Sequence, residues 1–213
     1  MNLAPLKQKF AALFPTADLA RLIAVRAPGR VNLIGEHTDY NDGFVCPMAI
    51  DRSTVILATP RADGIVRMHS VSAAATTHGA AAPAHTVEFS ITAEVPHTPP
   101  PWSLYPKGAA EAMRQRVPLT LGMDALVDSD IPLGGGLSSS ASFEVATALT
   151  LLTINGQHLP LEELALACQW AEHNYPRMPC GSRYQVSSAT GECGHALLLY
   201  CGSRETRRLP VDE

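Results

Sequence analysis

Residues 132–142 form a glycine- and serine-rich stretch, P-L-G-G-G-L-S-S-S-A-S, whose residue types suit the binding of an anion. Consecutive glycines allow backbone conformations that other residues avoid, and they let a ligand come close to the backbone. The apolar pattern that follows predicts a helix, and the free N–H groups and dipole of a helix start attract negative charge. Serine hydroxyls can bind a phosphate or its Mg²⁺, but no lysine follows as in the G-x-x-x-x-G-K-[ST] loop. The alternative is a flexible glycine turn with a serine N-cap.

A second polar stretch, A-P-G-R-V-N-L-I-G-E-H-T-D-Y-N-D, occupies residues 27–42. A predicted strand delivers Glu36, His37 and Asp39 into a turn, and Arg30 precedes Glu36 by six residues. Two carboxylates and an imidazole in a turn can bind a metal, although the spacing is not that of the helical H-E-x-x-H motif. They suit the hydroxyl groups of a polyol equally well. The remaining alternative is a solvated turn rich in Asn and Asp.

The elements that must position these stretches follow a mixed pattern along the chain. Residues 2–22 mix apolar and basic side chains at helical spacing, as a surface helix does. Apolar runs predict strands at 31–35, 44–50, 53–59, 66–71, 86–91 and 195–201, and helices at 104–116, 140–154 and 161–173. Residues 73–101 are rich in Ala, Thr, His and Pro and predict a loop or irregular edge around the 86–91 strand. Strands first, then helices with strands interleaved, predict one α+β domain.

Composition excludes several classes of protein. The 213 residues are 46% hydrophobic and 17% charged, which allows a buried core. Sixteen basic and twenty acidic side chains give a net charge of −4, so we expect neither nucleic acid nor an anionic membrane as a partner. No apolar run approaches the ~20 residues that a bilayer crossing needs. Five cysteines without a C-x-x-C pair argue against a disulfide scaffold or zinc ribbon and favour thiols in a reducing cytoplasm.

The two polar stretches together resemble the signature motifs of the GHMP small-molecule kinases, and in particular of the galactokinases. P-G-R-V-N-L-I-G-E-H-T-D-Y-N-D-G is similar to the galactokinase signature, and P-L-G-G-G-L-S-S-S-A-S to the phosphate-binding motif of the family. The likeness covers nearly the whole chain from about Arg26 onward. It continues through residues 102–108, 171–173, 178–181, 194–199 and 203–206.

The resemblance implies an α+β fold, the N-terminal GHMP-kinase domain, in which a mixed β-sheet carries helices packed on one face. We expect this domain to span 1–213, with a leading helix at 1–22 and the sheet-and-helix core at 23–205. The implied reaction belongs to galactose metabolism: ATP donates its γ-phosphate to the anomeric hydroxyl of galactose in the cytoplasm, with Mg²⁺ as cofactor. Galactose and ATP are thus the expected small-molecule ligands.

The family pattern also assigns roles to residues of this chain. Arg30 would stabilise charge on the transferred phosphoryl group, and Ser140 and Glu172 would hold Mg²⁺. Sugar hydroxyls would be held by Glu36, His37, Thr38 and Asp39. The ATP phosphates would be wrapped by Gly134, Gly135, Gly136, Leu137, Ser138, Ser139 and Ser140. Positioning and neutralisation of the phosphate oxygens are the main requirements of phosphoryl transfer.

One departure from the family pattern falls at a catalytic position. The family motif M-P-C-G-x-x-D-Q has an aspartate where this chain has Tyr184. A phenol with an ordinary pKa near ~10 is a poor base at neutral pH, and the loss of a positioned base typically costs about 10²–10⁴-fold in rate. Ser182 and Arg183 replace a usually apolar pair, and Tyr200 and Gly202 stand where the family has Asp and Arg.

Length is the second departure. Galactokinases continue for nearly as many residues again, so the resemblance predicts that the C-terminal GHMP domain is absent here. An apolar surface would then be exposed, or another chain would supply that half. Three hypotheses therefore stay open: an active galactokinase, a sugar- or ATP-binding module without catalysis, and a truncated fragment without activity.

Overall fold

One mixed sheet forms the framework of the computed structural model, which describes residues 2–36, 38, 41–71, 85–203 and 205–211. Its strands are β1 (Ile23–Asn32), β2 (Phe44–Val45), β3 (Pro47–Arg61), β4 (Ile65–Ser70), β5 (Thr86–Ser90), β6 (Gly122–Ser129), β7 (His195–Tyr200) and β8 (Thr206–Pro210). The order is β2-β7-β3-β6-β4-β5, with β1 paired to β3 and β8 to β7. The β4–β6 pair is parallel, whereas the other pairs are antiparallel.

Helices supply the rest of the core. They are α1 (Leu3–Leu13), α2 (Leu104–Arg114), α3 (Ser139–Ile154), α4 (Leu161–Asn174) and α5 (Arg183–Thr190), with 3₁₀ turns at Leu19–Arg21 and Pro101–Ser103. The main core lies between the sheet and α2, α3 and α4, where Ile56, Met68 and Leu151 are completely buried. The predicted α+β class and mixed sheet are confirmed.

The first helix covers the opposite face of the sheet. Phe10 of α1 packs with Leu57 and Leu126, whereas their strand neighbours Ile56 and Ala125 face the main core. Successive side chains of a strand point to opposite faces, so one pair of strands serves both layers. The sequence predicted a helix over 2–22, which was wrong in extent. The helix ends at Leu13, because proline at position 15 disfavours helical backbone before it.

The strand predicted at 31–35 was wrong in its bounds, because β1 begins at Ile23, runs through Pro28 and Gly29 and ends at Asn32. The pairing of β1 with β3 shifts register between Pro28 and Arg30. Such an irregularity accommodates a proline that cannot donate to the ladder. Arg30 thereby stands near the end of β1, beside the glycine-rich loop.

Buried hydroxyl groups fasten two helices to β1. Ser142 of α3 is fully buried, donates to the carbonyl of Ala27 at 2.7 Å and accepts from the N–H of Thr54 at 3.2 Å. Ser188 of α5 donates to the carbonyl of Pro28 at 2.7 Å. These contacts hold the first turn of α3 and the last turn of α5 against adjacent residues in the middle of β1. No helix in the described part of the chain combines the length and apolar character that crossing a bilayer requires.

Candidate active site

The glycine-rich loop joins β6 to the first turn of α3. The helix after the loop was predicted from the sequence, whereas the strand before it was not. Gly134 and Gly136 have positive φ angles of 71° and 70°, and Ser138 has a φ of 61°. Glycine adopts this left-handed backbone without a steric penalty, whereas in Ser138 the Cβ atom makes it conformationally unfavourable. The N–H groups of the first turn of α3 lack partners within the helix, so they are available to an anion at this loop.

Strand β1 and the loop are in direct contact. The N–H of Arg30 donates to the carbonyl of Leu137 at 3.1 Å. A Cβ atom on Gly29 would lie 2.7 Å from the same carbonyl oxygen, so the approach requires glycine. The side chain of Arg30 also reaches the loop, because its Nη1 donates to the carbonyl of Gly136 at 2.8 Å. The predicted phosphate loop and the predicted arginine are therefore brought together.

A cavity of about 490 Å³ opens beside the loop. Its walls include the aromatic side chains of Trp102, Tyr105 and Phe143, and its loop side includes Gly134 and Ser140. A volume of this size with largely apolar walls and a few polar groups is typical of a site for a small organic ligand. The cavity therefore places an apolar compartment directly next to an anion site.

Two buried carboxylates lie behind this region, on α3 and α4. Gln185 Nε2 of α5 donates to Glu144 Oε2 at 3.1 Å and to Glu172 Oε2 at 2.5 Å. Burial, reinforced by the charge of Glu172, raises the pKa of Glu144 well above its usual range. The Sγ of Cys180 donates to Glu172 Oε2 at 3.2 Å, and burial raises the pKa of this thiol.

Ser140 and Glu172 carry oxygen donors of the type that Mg²⁺ binds, and their predicted role as its ligands stays a prediction. Mg²⁺ is usually held by one or two protein oxygens together with substrate phosphates. Glu172 is a buried carboxylate whose described partners are an amide and a thiol, not a cationic side chain. Ser140 adds a hydroxyl at the cavity wall. Within the described residues, no group of three or more His, Cys, Asp or Glu could hold a metal on its own.

Arg30 and Tyr184 meet on the other side of the loop. The guanidinium Cζ of Arg30 lies 4.5 Å from the centroid of the Tyr184 ring. Arg30 is buried, and its Nε has no hydrogen-bond partner among the described residues. Burial lowers the pKa of Arg30, with the neighbouring Arg183 contributing in the same direction. The predicted catalytic position therefore carries an aromatic ring against the arginine, where the family motif would supply a carboxylate.

Arg183 connects Tyr184 to the polar turn after β1. Its Nη2 donates to Tyr184 Oη at 3.1 Å and to Glu36 Oε2 at 3.2 Å, and its Nη1 donates to the carbonyl of Gly35 at 3.2 Å. Glu36 Oε1 accepts from Asn32 Nδ2 at 2.8 Å. These donors, Asn32 first, hold the pKa of the Glu36 carboxyl below its usual value. Both oxygens of Glu36 are thus engaged by side chains of the protein itself.

The remaining predicted sugar contacts differ in what the structure describes. The hydroxyl of Thr38 lies 2.8 Å from the carbonyl oxygens of Gly35 and Phe44, so it braces the turn. His37 and Asp39 lie outside the described residues. Their predicted roles, like that of Thr38 toward a sugar, stay predictions.

Sequence reasoning missed Glu144 and Gln185 as members of the site. A signal was present for Glu144, because it is a lone charged residue inside the apolar pattern of α3. A buried carboxyl in such a pattern needs a polar partner from elsewhere in the fold. Nothing local marks Gln185 as that partner.

Comparisons with known proteins agree with this geometry. The model for the galactokinase galactose-binding signature matches residues 8–60, and the model for the GHMP kinases N terminal domain matches residues 105–192. A galactokinase of Chloroflexus aggregans is 46% identical over 186 residues, which are 87% of this chain and 45% of that protein. The chain thus carries a galactokinase galactose-binding signature and a GHMP kinase N-terminal domain. A human galactokinase is 45% identical over 194 residues, covering 90% of this chain and 47% of the relative.

Solved structures of the family give the same result for the fold. The crystal structure of Lactococcus lactis galactokinase complexed with galactose matches with a TM-score of 0.86 and 31% identity, covering 99% of this chain and 52% of that chain. A mevalonate kinase from Methanococcus jannaschii, at 17% identity and a TM-score of 0.68, shares the fold. The chain spans about half the length of the curated relatives that it matches. The predicted family and N-terminal domain are confirmed.

Proposed function

We propose that this chain contributes the nucleotide and sugar contacts of a galactokinase site, which transfers the γ-phosphate of ATP to the anomeric hydroxyl of galactose. The observation that carries the proposal is the contact of Arg30 with the carbonyl of Gly136. It joins the end of β1, which leads into the polar turn, to a glycine-rich loop at a helix start, beside a cavity of about 490 Å³. The galactokinase relatives support the same substrate pair.

The nucleotide has a compartment for each of its parts. The apolar cavity with Trp102 and Phe143 receives the base, and the loop from Gly134 to Ser140 receives the phosphates. The α3 N–H groups and the guanidinium of Arg30 neutralise phosphate oxygens, and such fixed charges are the main contribution of a protein to phosphoryl transfer. Ser140 and Glu172 would hold Mg²⁺, which when bound neutralises phosphate charge.

The sugar lies at the polar turn in this proposal. Glu36, His37, Thr38 and Asp39 supply hydrogen bonds to its hydroxyls, and the anomeric hydroxyl points toward Arg30 and the phosphate loop. A cytoplasmic location agrees with the need for ATP and with five cysteines that form no disulfide. Tyr184 stands where the family motif has its aspartate, so this position places a phenol beside Arg30 in place of a carboxylate.

Formation of galactose 1-phosphate tests the proposal directly. The purified full chain is incubated with MgATP and galactose, and product is compared with reactions lacking protein, galactose or ATP. We expect product that requires all three, and Arg30→Met should abolish it while leaving the melting temperature within a few degrees. Product at the level of the blank, or ATP hydrolysis independent of galactose, would contradict the proposal.

A second candidate is a binding module that retains the nucleotide without transferring phosphate. Tyr184 favours it, because a phenol at the position of the family aspartate is a weaker base toward the acceptor hydroxyl than a carboxylate. MgATP binding by calorimetry without product would support this candidate. Tyr184→Asp is then expected to raise galactose-dependent product, and no increase would count against Tyr184 as the cause.

A further inference from the structure

The carboxylate of Glu36 is already hydrogen-bonded at both oxygens. Asn32 Nδ2 donates to Oε1 at 2.8 Å, and Arg183 Nη2 donates to Oε2 at 3.2 Å. Asn32 lies only four residues before Glu36, so its contact belongs to the turn itself. Arg183 lies on α5 and reaches the turn from a distant part of the chain.

Several contacts hold Arg183 in this position. Its Nη1 donates to the carbonyl of Gly35 at 3.2 Å, and its Nη2 also donates to Tyr184 Oη at 3.1 Å. The guanidinium Cζ lies 5.0 Å from the Tyr184 ring centroid. The side chain of Arg183 is 7% exposed, whereas that of Glu36 is 61% exposed. The arginine is therefore part of the folded interior, and Glu36 turns back onto it.

A neutral sugar competes poorly for such a carboxylate. A hydrogen bond between two charged groups is roughly twice as strong as one between neutral groups. Arg183 takes one lone pair of Glu36 Oε2 and compensates its charge, so a sugar hydroxyl that binds beside it meets a weaker acceptor. A hydroxyl that displaced the guanidinium would leave Arg183 buried with its ion pair broken, which is costly. The cost falls on the sugar and not on the nucleotide, because neither the loop nor the cavity uses Glu36.

We propose that Arg183 is a specificity-determining residue, which pairs with Glu36 from within the fold and thereby weakens the binding of a neutral hexose at this end of the site. The inference rests on the proposed function, since that proposal gives Glu36 its role toward the sugar. The chain then binds MgATP with its loop and cavity, but binds galactose weakly. Removal of the guanidinium frees Glu36 Oε2 for a hydroxyl.

Arg183→Met tests this inference, because methionine keeps an unbranched apolar stem and removes every charged contact. Galactose binding to the full chain is measured by calorimetry without nucleotide, and we expect affinity to rise at least about tenfold, which corresponds to ~1.4 kcal/mol. Arg208→Met is the matched control, because Arg208 Nε pairs with Glu192 Oε2 at 2.8 Å on β8, outside the walls of the cavity. The control should leave galactose affinity unchanged.

Other readouts separate this inference from the proposed function. MgATP affinity is measured on each variant, and wild-type values in Arg183→Met show that the nucleotide side is intact. Arg183→Lys, which keeps the charge and a long stem, should show an intermediate galactose affinity. It also serves if the methionine variant fails to fold. By carboxyl-carbon NMR, the pKa of Glu36 should rise in Arg183→Met.

Equal galactose affinity in the wild type and Arg183→Met would overturn the inference, whether both bind or neither does. An unchanged pKa of Glu36 would also overturn it. Each of these results leaves the proposed function to its own test, because product formation and MgATP binding are measured separately.

Discussion

The nucleotide side and the sugar side of the candidate site are built in different ways. On the nucleotide side, the glycine-rich loop and α3 are held in place by backbone groups and a fully buried hydroxyl. The carbonyl of Leu137 accepts from the N–H of Arg30, and the hydroxyl of Ser142 on α3 bonds to β1 and β3. On the sugar side, the polar group that faces solvent is Glu36, and side chains engage it.

This difference has a functional consequence. A backbone cradle leaves its N–H groups ready for an anion, whereas a carboxylate bonded to an internal guanidinium must be released before it binds a hydroxyl. Preorganised groups cost little at the moment of binding, and groups that must rearrange cost more. We therefore expect changes on the two sides to be separable, with nucleotide affinity dependent on the loop and galactose affinity on the α5 residues.

The largest effect on stability is expected where α3 is fastened to the sheet. Ser142→Ala removes a hydroxyl that serves Ala27 and Thr54, and leaves the buried N–H of Thr54 without this acceptor. Such a loss costs about 2–3 kcal/mol of the free energy of unfolding. Urea denaturation measures it, with Thr153→Ala as control, because the exposed Thr153 hydroxyl bonds only within its own helix. An equal decrease in the free energy of unfolding in both variants would mean that the hydrogen bonds of Ser142 to Ala27 and Thr54 do not stabilise the fold.

The loop backbone is expected to matter next. Gly136→Ala places a side chain at a φ of 70° without a steric contact within 4 Å, so its effect is backbone strain of about 1–2 kcal/mol. We expect MgATP affinity to fall about tenfold as the loop relaxes, by roughly 1.4 kcal/mol. Gly156→Ala is matched, because Gly156 has a φ of 62°, open surroundings and a place at the far end of α3. Gly156→Ala should lower the free energy of unfolding about as much as Gly136→Ala but leave MgATP affinity unchanged. If Gly156→Ala lowered MgATP affinity as much as Gly136→Ala does, the assignment of the loop to the nucleotide would be refuted.

The buried acid Glu144 on α3 predicts a pH dependence. Because its pKa is raised in the folded chain, Glu144 holds its proton to higher pH there than in the unfolded chain, which releases it above about pH 4.5. The unfolded state therefore binds fewer protons, and this residue makes the free energy of unfolding fall as pH rises from 5 toward the folded pKa. Glu144→Gln keeps the size and an acceptor for Gln185, so at pH 5 we expect a small change only.

Between pH 5 and pH 8, Glu144→Gln should gain stability relative to the wild type. Denaturation at several pH values measures the difference, and Glu163→Gln on the exposed first turn of α4 is the control. A pH dependence that is the same in all three proteins would show that Glu144 is charged in the folded state.

The smallest effect is expected at the phenol hydroxyl. Tyr184→Phe removes the acceptor for Arg183 Nη2 but keeps the ring against Arg30. We expect the free energy of unfolding to fall by less than about 1 kcal/mol. MgATP affinity should stay within about twofold of the wild type. Tyr184→Ala, which also removes the ring, should cost up to ~2 kcal/mol more through the lost contact with the arginine. Melting and calorimetry measure both, and identical behaviour would mean that the ring does not position Arg30.

The sequence predicted elements whose ends are marked by neighbouring residues. The start of α3 was predicted at Ser140 and lies at Ser139, because glycines, serines and an apolar run mark it within a few residues. The helix α5 was not predicted, since its eight residues R-Y-Q-V-S-S-A-T show no apolar periodicity. Hydroxyls of Ser187 and Thr190 bond back to carbonyls one turn earlier, which polar sequence alone does not reveal.

By itself, the sequence determined the phosphate loop, the polar turn that holds Glu36, the apolar helix behind the loop and the family to which they belong. These features are encoded by neighbouring residues, whose glycine content, side-chain chemistry and spacing act over a few positions. The tertiary structure alone decided that Arg183 bonds to Glu36, 147 positions away, and that Gln185 joins Glu144 to Glu172. Such contacts depend on how β1, α3, α4 and α5 pack around one end of the sheet, and residues so far apart in the chain carry no local signal of their meeting.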